Sequence, residues 1–157
     1  MHQRRQMEYR IHLSDEAQMC ALGEAFALEL EPGAVVLLKG DLGSGKTTFA
    51  GSVIRGLGCA SPVVSPTYTL VEEYITITHL VCHFDLYRLN DPNELEGLGI
   101  RDRCDGKRVL LIEWPENGAG ALPQAHWEVQ IDYADLGRTV CIQGGRPAKA
   151  IEAFIAS

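Results

Sequence analysis

The sequence predicts an α/β fold, a mixed and largely parallel β-sheet flanked by helices. Three observations carry this expectation. Val35-Val36-Leu37-Leu38 is a short, continuous apolar run, the pattern of a strand buried on both faces. Val109-Leu110-Leu111-Ile112 is a second such run and ends in Glu113. Helical apolar spacing alternates with these runs, which is how layered α/β proteins read.

Along the chain, Ser14 precedes acidic Asp15 and Glu16 and is the expected helix N-cap. Ala17, Cys20, Ala21, Phe26 and Leu30 continue in helical spacing until Glu31-Pro32-Gly33 breaks it. After Gly45 a helix is expected from about Lys46 to Leu57, closed by Gly58. The Ser- and Pro-rich stretch Ser61 to Thr67 reads as a loop. Thr69 to Tyr74 and Leu80 to Tyr87 read as strands around a short turn. At Asp91-Pro92-Asn93-Glu94, Asp91 can cap a short helix, Pro92 suits its first position and Glu94 can close a capping box. Trp127 to Asp132 and Thr139 to Gln143 read as a late hairpin, and Pro147 to Ala156 as a terminal helix.

Bulk properties narrow the function. A chain of 157 residues matches one domain, here expected over 1–157, and 46% apolar residues suffice for a core. The net charge of -7 argues against a protein that grips nucleic acid directly, because phosphate contacts need a basic surplus. Arg4, Arg5 and Arg10 cluster at the N-terminus, where a solvated, frayed end is expected. Five cysteines lack any C-x-x-C spacing, so neither a zinc knuckle nor a dithiol site is indicated. Their odd number, with no apolar leader in the first residues, points to reduced thiols in the cytoplasm, most of them small buried apolar groups.

The chemistry sits in Gly40-Asp41-Leu42-Gly43-Ser44-Gly45-Lys46-Thr47, which meets the pattern G-x-x-x-x-G-K-[ST]. Glycines let the backbone wrap phosphates with its N–H groups, and the helix that follows adds a partial positive charge. Lys46 is expected on the outer phosphates and Thr47 on Mg²⁺. The run follows a buried strand and opens a helix, the context this loop requires, so the fold is expected to be P-loop NTPase-like. No N-K-x-D run for guanine is present, which favours ATP. A carboxylate must accompany the metal. Glu113, at the end of its strand, and Asp85, in His83-Phe84-Asp85-Leu86-Tyr87-Arg88, are the two candidates. His79 and His83 do not suit zinc, since residues four apart on a strand lie roughly 13 Å apart. Arg88, Arg101 and Arg103 are expected at the surface or in salt bridges rather than on phosphate.

Taken together, these pieces resemble the bacterial tRNA threonylcarbamoyladenosine biosynthesis ATPases, the TsaE (YjeE) family. The matching segments, in order, are Gly40 to Thr48, Ser65-Pro66-Thr67-Tyr68-Thr69-Leu70-Val71-Glu72, His83 to Leu89, Glu94-Leu95-Glu96 with Gly99-Ile100-Arg101-Asp102, and Ile112-Glu113-Trp114-Pro115-Glu116. The resemblance implies an Mg-dependent ATPase, weak alone, that supports two partners, TsaB and TsaD, in modifying the adenosine beside the anticodon. tRNA would be met only through that complex. It further implies that Asp41, Gly43, Ser44, Gly45, Lys46, Thr47 and Thr48 hold the nucleotide, and that Thr47 and Glu113 hold Mg²⁺. Asp85 would assist hydrolysis together with Lys46, and Ser65-Pro66-Thr67 would act as a switch. Glu16 and Arg138 would approach the base. Competing readings are a small-molecule kinase, for which Arg101, Asp102 and Arg103 make a thin lid, and a module that senses ATP without turning it over.

Overall fold

The computed structural model describes residues 6–157. Arg4 and Arg5 lie outside this range. Seven strands form one sheet in the order β1-β7-β6-β2-β5-β4-β3. The strands are β1 Met7–Leu13, β2 Val35–Gly40, β3 Val71–Ile75, β4 Leu80–Asp85, β5 Val109–Glu113, β6 Trp127–Ala134 and β7 Gly137–Gly144. The central ones, β4, β5, β2 and β6, run parallel. Antiparallel β3 closes one edge, and β7 with β1 closes the other.

At Arg10 the expected fraying is corrected by β1, while the side chain is solvated as expected. Met7, Tyr9, Ile11 and Leu13 alternate with Glu8, Arg10 and His12, and the pairing with β7 runs from Met7↔Gly144 to Leu13↔Arg138. Ladder hydrogen bonds and the buried face outweigh the charges, which point outward.

Helix α1 (Glu16–Ala27) and helix α2 (Lys46–Gly56) cover one face, with α5 (Lys149–Ala156) beside them. The N-cap of α1 is Asp15, not Ser14: the Asp15 carboxylate accepts from the Gln18 N–H at 2.8 Å, and the Gln18 side chain accepts from the Ser14 N–H at 2.6 Å. This reciprocal pair satisfies two donors at once, which a serine one position earlier could not. Phe26, Phe49 and Trp127 meet in the core of this face, with Phe26 edge-on to Trp127 at 5.4 Å. The other face is covered by two single-turn helices, α3 (Glu94–Gly97) and α4 (Ile100–Arg103), whose Leu95 and Ile100 pack on Cys82, Phe84, Leu110 and Ile112. The capping box expected at Asp91 is replaced by a turn, in which Asp91 accepts from the Asn93 N–H through its carboxylate at 2.9 Å and from Glu94 through its carbonyl. Of the five cysteines only Cys82 is fully buried, with its thiol pushed up to about 12 chiefly by burial; the others are partly or fully exposed.

Strand alternation positions the site. Val81, His83 and Asp85 of β4, Val109, Leu111 and Glu113 of β5, and Val36 and Leu38 of β2 share the face under α2. The register places Leu38, Glu113 and Asp85 in one row across three neighbouring strands. That row lies at the carboxyl ends of the parallel strands, where open α/β sheets present their ligand crevices.

Candidate functional site

Two residues beyond Leu38 the chain enters the loop Gly40–Gly45 and then α2. Gly40 has φ +150°, and a Cβ there would lie 2.5 Å from the Ile131 carbonyl oxygen. Gly45, with φ +115°, is the residue from which α2 departs. Both positions require glycine, so the wrapped backbone follows from the sequence.

Lys46 lies at the start of α2 and is buried. Its Nζ donates to the carbonyls of Gly40 and Asp41, the latter at 3.1 Å, and stands 4.0 Å from the centre of the Trp114 ring. Burial pushes the ammonium below its usual value, against the pull of Glu113, Glu116, Asp85 and Asp41. Trp114 holds φ +56°, uncommon for a bulky residue, and packs on Tyr87 with ring centres 5.0 Å apart. Ser44 is buried, and its Oγ has no hydrogen-bond partner among the described residues. An unpaired hydroxyl inside a loop of this shape is a polar group available to a ligand.

Glu113 is only 2% exposed. Its two oxygens accept from Thr47 Oγ1 at 3.0 and 3.1 Å, and Oε2 lies 2.6 Å from His83 Nε2. Asp85 stands in the next strand, and its Oδ1 accepts from the Tyr87 N–H at 3.1 Å. Burial raises the Asp85 carboxyl above its usual value, the Tyr87 N–H opposes this, and the Glu113 charge adds to the rise. Carboxylates crowded beside a buried lysine are what a site with a multivalent cation accommodates.

Two clefts meet at the loop. One, of about 290 Å³, is lined by Gly45, Lys46, Thr47, Asp85, Glu113 and Trp114, with Thr67 at its margin. The other, of about 240 Å³, is lined by Asp15, Glu16, Met19, Ser44, Thr48 and Arg138. Gly43, Gly45 and Thr48 line both. Asp41 is exposed, and its carbonyl accepts from Ser44 N–H and from Lys46. The expected site residues therefore fall into two groups, Glu16 and Arg138 in one cleft and Asp85 and Glu113 in the other, joined by the loop. Ser65 and Thr67 hydroxyls are 2.7 Å apart beside the second.

The arginines go elsewhere. Arg101 pairs with Glu96 and Arg103 with Glu73, while Arg88 stacks over Tyr68. Arg138 reaches the loop itself: its Nε donates to the Ser44 carbonyl at 3.0 Å. Tyr133, from the same hairpin, donates its hydroxyl to the Leu42 carbonyl at 2.7 Å. Neither Tyr133 nor the His83–Glu113 contact was foreseen from the sequence. For His83 a signal existed, because a histidine two residues before Asp85 must share its face of the strand. His79 belongs to the turn before β4 and bonds there to Thr76 and Thr78.

Comparison with known proteins agrees with this picture. The family model for threonylcarbamoyl adenosine biosynthesis protein TsaE matches residues 13–140. A Haemophilus influenzae tRNA threonylcarbamoyladenosine biosynthesis protein TsaE is 47% identical over 134 residues, covering 82% of this chain and 85% of the relative. The protein of the same description from Bacillus subtilis is 38% identical over 131 residues, covering 83% and 80%. The crystal structure of YdiB from Bacillus subtilis superposes with a TM-score of 0.72 at 26% identity, covering 98% of this chain and 94% of that one. The fold is that of the P-loop NTPases.

Proposed function

The chain belongs to the TsaE family of threonylcarbamoyl adenosine biosynthesis proteins, and from that premise we propose that it is an Mg-dependent ATPase, one domain over 1–157, acting in the cytoplasm beside TsaB and TsaD in threonylcarbamoyl modification of tRNA. The observation that carries the reading is the convergence of Lys46, Thr47, Asp85 and Glu113 on one cleft at the carboxyl ends of the parallel strands.

The residues fit Mg-ATP. The glycine-permitted backbone at Gly40 and Gly45, the unpartnered Ser44 hydroxyl and the Thr47–Glu113 pair supply N–H groups, a hydroxyl and a carboxylate where phosphates and a hard cation need them. Thr47 and Glu113 would hold Mg²⁺, which when bound neutralises charge on the phosphate oxygens. Gly43, Ser44, Gly45, Thr47 and Thr48 line the two clefts that the phosphates would bridge, with Asp41 at the loop's start. Lys46, which rests on loop carbonyls beside the Trp114 face, would hold phosphate oxygens when nucleotide is bound. Asp85 orients the attacking water, and as a buried carboxylate it favours taking up a proton. Glu16 and Arg138 lie on the side left for the base and ribose. The acidic balance of the chain suits docking on proteins, with tRNA met through them.

Reconstitution of the modification with TsaB and TsaD, with and without this chain, tests the proposal. Repeated rounds should require the chain, and free phosphate should form slowly from the chain alone and faster with the partners. A labelled small molecule in place of phosphate would indicate a kinase, and unchanged ATP a sensor. A high rate alone, unmoved by the partners, would contradict the accessory role.

A further inference from the structure

We propose that His83 is a positioning residue for the metal-side carboxylate: it fixes Glu113 so that the carboxylate stays turned toward Thr47. The inference rests on the nucleotide-site reading and adds to it a residue that contacts neither phosphate nor metal.

His83 lies in the middle of β4, fully buried, on the same face as Asp85 and one step deeper in the sheet. Its Nε2 is 2.6 Å from Glu113 Oε2, and Thr47 Oγ1 stands 3.0 and 3.1 Å from Glu113 Oε1 and Oε2. The carboxylate is therefore gripped from two sides, by a hydroxyl from α2 and by an imidazole from β4. The other ring nitrogen, Nδ1, is buried without a hydrogen-bond partner among the described residues. A buried N–H with no acceptor is costly, and a bare lone pair is the lesser penalty. This assigns a proton to Nε2 and makes His83 a hydrogen-bond donor to Glu113.

The physical consequence follows from strand geometry. Glu113 is the last residue of β5, beyond which the chain turns through Trp114 at positive φ. Without a second hydrogen bond its carboxylate could rotate away from Thr47. A donor behind a metal-ligating carboxylate removes that freedom, and loss of such partners typically weakens metal binding by about 10–100-fold. An apolar residue at position 83 would give no such restraint.

The test compares wild type, His83→Phe, His83→Gln, Glu113→Gln and the double variant His83→Phe/Glu113→Gln. A non-hydrolysable ATP analogue is titrated by calorimetry at stepped MgCl₂ concentrations and again in EDTA. In His83→Phe the half-saturating Mg²⁺ concentration should rise about tenfold, with affinity in EDTA unchanged. His83→Gln, which can still present an N–H to Glu113, should recover most of this loss. In the Glu113→Gln background the phenylalanine should cost nothing further, because the two residues act as one unit. Should the phenylalanine variant fail to fold, His83→Asn, whose amide is too short to reach Glu113, takes its place. The proposal is overturned if Mg²⁺ dependence is unchanged, if affinity in EDTA falls in parallel, or if the loss persists without the Glu113 carboxylate. Absence of any Mg²⁺ dependence in a wild type that still binds the analogue would also overturn the proposal, whereas failure of the wild type to bind the analogue at all would instead remove the nucleotide-site reading, and the proposal with it.

Discussion

Two ends of the same parallel strands carry clefts of opposite character. The larger, about 570 Å³, lies at the amino end of β2 and is lined by Glu29, Gly33, His126, Trp127 and Arg146 among others. The smaller pair surrounds the glycine-rich loop at the carboxyl end. In the large cleft the buried charge is fully committed. Glu29 accepts from the Ala150 N–H at 2.9 Å and from Arg146 at 3.0 Å, so it caps α5 and anchors Arg146 at the same time. At the loop the polar groups are held but not consumed: the Ser44 hydroxyl is unpaired, Lys46 rests on carbonyls and an aromatic face, and Asp85 is kept above its usual carboxyl range by burial. Volume alone would have chosen the wrong end. Uncommitted polar chemistry distinguishes a site from a crevice.

The sharpest contrast between the ends should come from the two carboxylates of the loop cleft. Asp85→Asn should keep Mg-ATP binding within a few-fold and lose partner-stimulated phosphate release by about 100-fold, the scale of a lost acid–base contact. Glu113→Gln should instead weaken Mg-dependent affinity. Paired titration and phosphate-release assays check both, and the reverse pattern would exchange the two roles.

At the other end, Glu29→Ala should leave nucleotide binding unchanged. It should destabilise the fold by about 1–2 kcal/mol, since a helix cap is lost while half-exposed Arg146 can rehydrate. Melting temperature should drop by roughly 3–8 °C. A loss of nucleotide affinity without a loss of stability would erase the distinction between the clefts.

Indole emission sharpens it further. Trp114 stacks against Lys46 and Tyr87, whereas Trp127 is buried beside Phe26 and Arg146 near the large cleft. Mg-ATP should change the emission through Trp114. Trp114→Phe should therefore abolish the change and Trp127→Phe should retain it; the opposite result would place the ligand at the wrong end.

The smallest effect concerns pH. Because folding raises the Asp85 carboxyl above its ordinary 3.8, the penalty is absent below that value and grows as pH rises through the folded-state range. Without ligand, Asp85→Asn should melt higher than wild type at neutral pH, and the gap should close on acidification. Thermal melts at stepped pH read this directly.

Much of this molecule is legible in its sequence because local pattern and global fold agree. The runs Val35–Leu38 and Val109–Ile112 became the paired central strands, and Gly40, Gly45, Lys46 and Thr47 took the backbone that their spacing requires. The edges were harder. Met7 to Leu13 alternates cleanly, yet its place near a terminus favoured a loose end, and only pairing with a strand more than a hundred residues away decides the matter. His83 was hidden differently. It lies in a segment read as a strand, and its spacing from Asp85 marks the face they share, yet nothing local says that a glutamate thirty residues later will end within 2.6 Å of it. The hold of Tyr133 and Arg138 on the loop is likewise a product of β6 lying beside β2, which sequence spacing does not record.

The most direct measurement of the central claim is calorimetric titration of Mg-ATP into Lys46→Ala. Lys46 contacts carbonyls of its own loop and the face of Trp114, so its truncation should leave the fold intact, as a melting curve would show. Loss of one charged phosphate contact should weaken affinity by roughly 10–100-fold. Wild-type affinity in the folded variant would contradict the assignment of the loop as the nucleotide site.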